Sequence, residues 1–107
     1  MNPIDLDHLA RQTLGDTDLQ REVLQMFLEQ AQNACERLSS ADEAERRMLA
    51  HTLKGSARGV GAFPIADCAE AIERRAPSSR DREELAVLVD ELGKAVDAIR
   101  DVGDHRS

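Results

Sequence analysis

The chain has 107 residues, 41% of them hydrophobic and 33% charged, and carries a net charge of −7. That length suits one domain, expected to span residues 1–107, which can bury about two-thirds of its unfolded surface without staples. The acidic balance argues against a nucleic-acid partner, and with Phe27 and Phe63 the only Phe, Tyr or Trp there is no platform for stacking single-stranded bases.

No apolar stretch nears the roughly 20 residues of a membrane span. The start, Met1-Asn2-Pro3-Ile4-Asp5, has neither the basic head nor the apolar run of a signal peptide, so a cytoplasmic location without membrane contact is expected. Cys35 and Cys68 lack metal-ligand spacing and read as reduced, packed thiols. Six glycines and three prolines are too few for the turns of a β-sandwich, and the supply of Leu, Ala, Glu and Arg is that of helices.

Asp5 can cap a short first helix with apolar positions Leu6, Leu9, Ala10 and Leu14, and Gly15 stands where it should stop. Thr17 with Gln20 has capping-box spacing and opens a longer helix carrying Leu19, Val23, Met26, Phe27, Ala31, Ala34 and Leu38. Ser40 with Glu43 repeats the capping box, so a third helix should run from near Ala41 to about Val60. Gly61-Ala62-Phe63-Pro64 makes a corner, with Pro64 suited to the first turn of a fourth helix whose stripe is Ile65, Ala69 and Ile72, with Cys68 beside it. Pro77-Ser78-Ser79 ends that helix, and Ser78 or Ser79 caps a fifth with the seam Leu85, Val89, Leu92, Val96 and Ile99. Beyond Asp101 the tail at 102–107 has nothing to bury and should fray. The expected fold is all-α: an antiparallel four-helix bundle with the short N-terminal helix as a lid.

One segment departs from the rest. From Arg46 to Ala66 there is no acidic residue, yet the stretch holds Arg46, Arg47, Lys54, Arg58 and His51. On a helical wheel at about 100° per residue with Met48 at zero, Leu49, Leu53, Ala57 and Val60 cluster around roughly 120°. Arg47, Lys54, Arg58 and His51 fall between about 240° and 300°, away from that face. Gly55 and Gly59 lie near roughly 340° and 20°, leaving the surface beside His51 bare.

Two interior helix glycines cost roughly 1 kcal/mol each against alanine, and stacked cations repel mildly. A site for a transferred anionic group accounts for both: Lys54 and Arg58 would neutralise it, and Gly55 would let a partner approach. Imidazole is a nucleophile only when neutral, and flanking cations favour that form. The plainer reading is a solvated basic face.

His51-Thr52-Leu53-Lys54-Gly55-Ser56-Ala57 with Gly61-Ala62, flanked by Leu14-Gly15-Asp16 and Cys68-Ala69-Glu70 with Ile72-Glu73, closely resembles the signature of histidine-containing phosphotransfer (HPt) domains. The resemblance spans nearly the whole chain. It implies a helical bundle that shuttles a phosphoryl group between receiver-domain aspartates in multistep phosphorelays. By it, His51 is the phospho-accepting residue, Lys54 neutralises the phosphate and Gly55 clears the docking surface, with Ser56, Arg47 and Arg58 on the receiver-docking face. Position 73 is often Gln in the family and hydrogen-bonds the imidazole; here it is Glu73. A carboxylate there can still accept from Nδ1–H and leave Nε2 as nucleophile.

The implied protein is a stand-alone carrier, with no ATP site and no cofactor of its own, Mg²⁺ belonging to the partner receiver. Its partners would be receiver domains of response regulators and hybrid histidine kinases, met by a monomer. His8, His51 and His105 are too scattered for a metal cluster, and Gly55–Gly61 follows no strand and is no nucleotide loop. Two rival readings stand: a non-catalytic helical adaptor docking through the basic face, and a detached phosphotransfer domain of a chemotaxis-type kinase.

Overall fold

The computed structural model describes residues 2–104, and side chains as far as residue 99. It is all-helical, with no strand among the described residues: α1 (Leu6–Gln12), α2 (Thr17–Leu38), α3 (Glu43–Val60), α4 (Phe63–Arg74) and α5 (Asp81–Asp104). The four long helices close a ring, α2 touching α3 and α5, and α4 touching the same two, while α1 rests on α2 and α3. Gln30 meets Ser56 and Arg37 meets Glu45 across α2 and α3. Among the described residues no helix is long and apolar enough to cross a membrane.

Local chemistry explains the boundaries. Asp5, Asp16 and Asp42 cap α1, α2 and α3, each side chain accepting a backbone N–H three residues on. The expected capping boxes at Thr17 and Ser40 are therefore not the ones used; an aspartate one residue earlier, or two later, takes the role. Asp carries full charge toward the positive helix end, which a hydroxyl lacks. Ser78 Oγ accepts from the Arg80 N–H just ahead of α5, and the Asp81 carboxylate accepts from the Ser78 N–H. Helix α5 reaches Asp104, three residues beyond the boundary expected from the sequence. Residues 105–107 of the expected frayed tail lie outside the described residues.

The core is built from Leu9, Leu24, Phe27, Leu28, Leu53, Ile65, Ile72, Leu85, Val89, Leu92 and Val96, with alanines where helices approach closely. Along α5 the expected seam is buried through Val96 and partly at Ile99. Leu6, Leu14, Leu19 and Met26 are exposed instead, and Leu24 and Leu28 take the inner positions of α2. Cys35 is buried and Cys68 half-buried, both as free thiols. Burial raises both thiol pKa values, that of Cys68 to about 11, so neither is a ready nucleophile.

Two features fix the segments that carry the site. Gly61 ends α3 with φ +88°, and a Cβ there would sit 2.9 Å from the Asp5 carbonyl oxygen. Its own carbonyl accepts from the Asp5 N–H at 2.8 Å, so the α3–α4 corner is tied to the head of α1. His8 adds to this tie, its Nε2–H donating to the Gly59 carbonyl at 3.2 Å while its ring meets Phe63 edge-on. At the other end of α3, Arg46 is buried and is not part of a basic surface. Its guanidinium donates to the carbonyls of Ile72 and Arg75 and faces Asp81 at 3.5 Å. Arg75 completes the cluster with bonds to Asp81 and Glu84. Removing Asp81 would leave the buried Arg46 guanidinium with carbonyl partners and no counter-charge, a loss of about 3–5 kcal/mol.

Candidate functional site

Arg46, Ala50, Leu53 and Ala57 form the buried face of α3. On the same wheel these lie at about 160°, 200°, 140° and 180°, so the inner face centres near roughly 170°. The sequence reading centres it about 50° away, near Leu49 and Val60, which are only half-buried, whereas Arg46 and Ala50 are buried. The rotation has two consequences. His51 stays on the outer side, with 70% of its side chain exposed, whereas Lys54 moves to the edge of the α3–α4 seam and is only 15% exposed.

Glu73 of α4 meets both residues there. Its Oε2 lies 2.6 Å from His51 Nδ1, and its Oε1 accepts from Lys54 Nζ at 2.6 Å. An ionised carboxylate can only accept, so the short contact assigns the imidazole proton to Nδ1. In the neutral ring, the form that can act as a nucleophile, Nε2 then carries the lone pair. The Lys54 ammonium, more than His51, holds the Glu73 carboxyl below its ordinary value of 4.5, against the opposing effect of partial burial. Glu73 therefore stays ionised at neutral pH.

That shift gives a signed expectation. A carboxyl whose folded pKa is depressed contributes stability that is complete above its ordinary value and is lost as pH falls through the lower folded value. A ¹³C titration of the Glu73 side-chain carboxyl should have its midpoint below 4.5. The midpoint should rise toward the ordinary value in Lys54→Met. A wild-type midpoint at or above the ordinary value would contradict the bridge.

A second rung lies one turn along. Arg58 pairs with Glu70 at 3.4 Å, and Glu70 also meets Arg74. Arg47 is exposed and pairs with Glu43 of its own helix at 2.7 Å. The basic face read from the acid-free stretch is thus matched by carboxylates from α4 and from the first turn of α3. Glu70 had no role in the sequence reading; its three-residue spacing from Glu73, facing Lys54 and Arg58 four apart, was the available signal. Gly55 and Gly59 have open space where a Cβ would project. Ser56 turns toward α2, its Oγ accepting from Gln30 Nε2 at 3.0 Å. The structure thus joins His51, Lys54 and Glu73 into one bonded group, and places Arg58 beside it in a separate pair. Arg47 and Gly55 lie on the exposed surface around it, and Ser56 sits half-buried toward α2, none of them bonded to it.

Among the described residues no group of three or more His, Cys, Asp or Glu is placed to hold a metal ion. The site offers one exposed nucleophilic nitrogen, a carboxylate fixing the other, and an ammonium ion within reach of that carboxylate.

Comparison with known proteins bears on this arrangement. No curated protein matches the chain. Among solved structures, the HPT domain of the Hpt sensor hybrid histidine kinase from Shewanella matches with a TM-score of 0.68 and 24% identity, covering 97% of this chain and 96% of that one. This likeness is one of fold. The model of the Hpt domain family matches residues 22–102, a span holding α3, α4 and the bonded group of His51, Lys54 and Glu73. The chain belongs to the Hpt domain family, whose role is phosphotransfer in two-component signalling.

Proposed function

We propose that the chain is a phosphoryl carrier that accepts a phosphoryl group on His51 from a receiver-domain aspartate and passes it to another receiver. The observation that carries this reading is the state of the His51 ring: Nδ1 is occupied by Glu73 while Nε2 is bare on an exposed helix face. In the step, the Nε2 lone pair attacks phosphorus in line. The Nε2–P bond forms, the P–O bond to the aspartate breaks, and the electron pair leaves on the aspartate carboxylate. No proton moves; the ring becomes cationic with Nδ1–H still held by Glu73. Lys54 offsets charge on the transferred group, and the receiver's own Mg²⁺ supplies most of the remaining electrostatics.

The finer assignments belong to the same reading. Residues 1–107 form one domain, an antiparallel four-helix bundle with α1 as a lid, supported by the crossing contacts of α2, α3 and α4. Gly55, Ser56, Arg47 and Arg58 lie on the face where the receiver of a response regulator or hybrid histidine kinase docks. The protein works as a cytoplasmic monomer and is a carrier rather than a kinase. A purely adaptor role through a basic face is less well supported, since Arg47, Lys54 and Arg58 each already face a carboxylate.

The test is incubation with a phosphorylated receiver domain. One phosphoryl group should appear on the chain, labile in acid and stable in base, as a phosphoramidate is. Absence of transfer from every receiver of the host, or an acid-stable product, would contradict the reading.

A further inference from the structure

Lys54, the cation nearest the acceptor in sequence, is already engaged before any phosphoryl group arrives. Its ammonium lies 2.6 Å from Glu73 Oε1, with the lysine 15% and the glutamate 21% exposed. It lies in the α3–α4 seam against the Glu73 carboxylate. The same glutamate holds His51 through its other oxygen. One carboxylate thus orients the nucleophile and competes for the cation that would stabilise the product.

We propose that Glu73 is an internal competitor for Lys54: when His51 is phosphorylated, the Lys54 ammonium shifts from the Glu73 carboxylate to the phosphoryl oxygens. The phosphoryl group carries close to two negative charges and Glu73 carries one, so the newcomer wins the ammonium by Coulomb attraction. Breaking the Lys54–Glu73 pair opposes that gain. Lys54 therefore stabilises phosphohistidine less in this chain than it would beside a neutral residue at position 73. A neutral amide there could still accept from Nδ1–H, so the competition comes from the charge of Glu73 and not from its hydrogen bond to the ring.

Direct effects of Glu73 on the phosphorylated ring act in both directions. The carboxylate attracts the nearby ring cation and repels the more distant phosphoryl group. A double-mutant cycle removes both contributions and leaves the Lys54 coupling. This inference rests on His51 as the acceptor, and the experiment separates the two.

Wild type, Lys54→Met, Glu73→Gln and the double variant are loaded with phosphoramidate, and the first-order loss of phosphohistidine is followed by ³¹P NMR in neutral buffer. Methionine keeps the packing of the half-buried lysine stem while removing its charge, and circular dichroism checks the fold of all four. Lys54→Met should shorten the lifetime in both backgrounds. The shortening should be about threefold greater with Gln at position 73, the scale of one partly exposed ion pair. Equal shortening in the two backgrounds overturns the competition while leaving His51 as acceptor intact. Failure of His51 to take up phosphoryl from any donor overturns both.

Discussion

His51→Gln should reduce phosphoryl labelling from a phosphorylated receiver to background. Glutamine carries no basic nitrogen, so it offers no lone pair for attack on phosphorus. The loss should be chemical and not structural. The His51 side chain is 70% exposed, so little packing is lost, and glutamine is a better helix former than histidine. Far-ultraviolet circular dichroism and the thermal midpoint should therefore match wild type. Thr52 and Ser56 are the hydroxyls flanking His51 on α3, and the Oγ of Ser56 is already engaged with Gln30 across the α2–α3 seam. Acid-labile labelling that survives His51→Gln would place the nucleophile elsewhere.

Gly55→Gln should slow receiver-to-His51 transfer by about 100-fold while leaving the fold intact or firmer. In-line transfer needs the reacting atoms of two proteins within about 3–3.5 Å, and a 1 Å misplacement can cost that factor. Position 55 lies about 40° around the helix from His51, beside the line of approach to Nε2. A Cβ at Gly55 meets nothing within 4 Å, so the new side chain projects into the space a partner would occupy. Replacing glycine in a helix interior removes a penalty of up to about 1 kcal/mol, which raises the melting temperature or leaves it level. Phosphoramidate needs no protein-sized clearance and should label the variant as it labels wild type. Wild-type transfer rates from the receiver would move the docking surface to another face of the bundle.

The helices and their order were legible because their apolar residues recur at three and four and their corners carry Gly61, Pro64 and Pro77. The rotation of α3 was less legible. Arg46 occupies an inward position because the carbonyls of Ile72 and Arg75 and the carboxylate of Asp81 lie there to receive it. Those partners sit 26 to 35 residues away, and a wheel drawn for one helix contains no information about them. Such a buried guanidinium is the kind of residue that hydrophobic periodicity assigns to solvent. The caps were missed more narrowly: Asp16 stands one residue before Thr17 and Asp42 two residues after Ser40, and the charged side chain took the cap in both places.

The bonded group around His51 was partly readable. The motif places His51 and Lys54 on one helix at three-residue spacing, and the resemblance brought Glu73 to the imidazole. The motif itself did not indicate that Glu73 also binds Lys54, or that Glu70 does the same for Arg58. An acid-free stretch of chain suggests a cationic surface only if no neighbouring helix supplies the counter-charge. Helix α4 supplies it, through carboxylates on the turn that Arg46 holds in place.

The measurement that tests the central claim most directly is the ¹⁵N spectrum of the His51 side chain before and after loading with phosphoramidate. Before loading, Nδ1 should appear protonated and hydrogen-bonded, with Nε2 as an unprotonated imidazole nitrogen. After loading, Nε2 should couple to ³¹P, with Nδ1 still protonated. A proton on Nε2 in the resting protein, or phosphorus bonded at Nδ1, would contradict the assignment of Nε2 as nucleophile and of Glu73 as the residue that selects it.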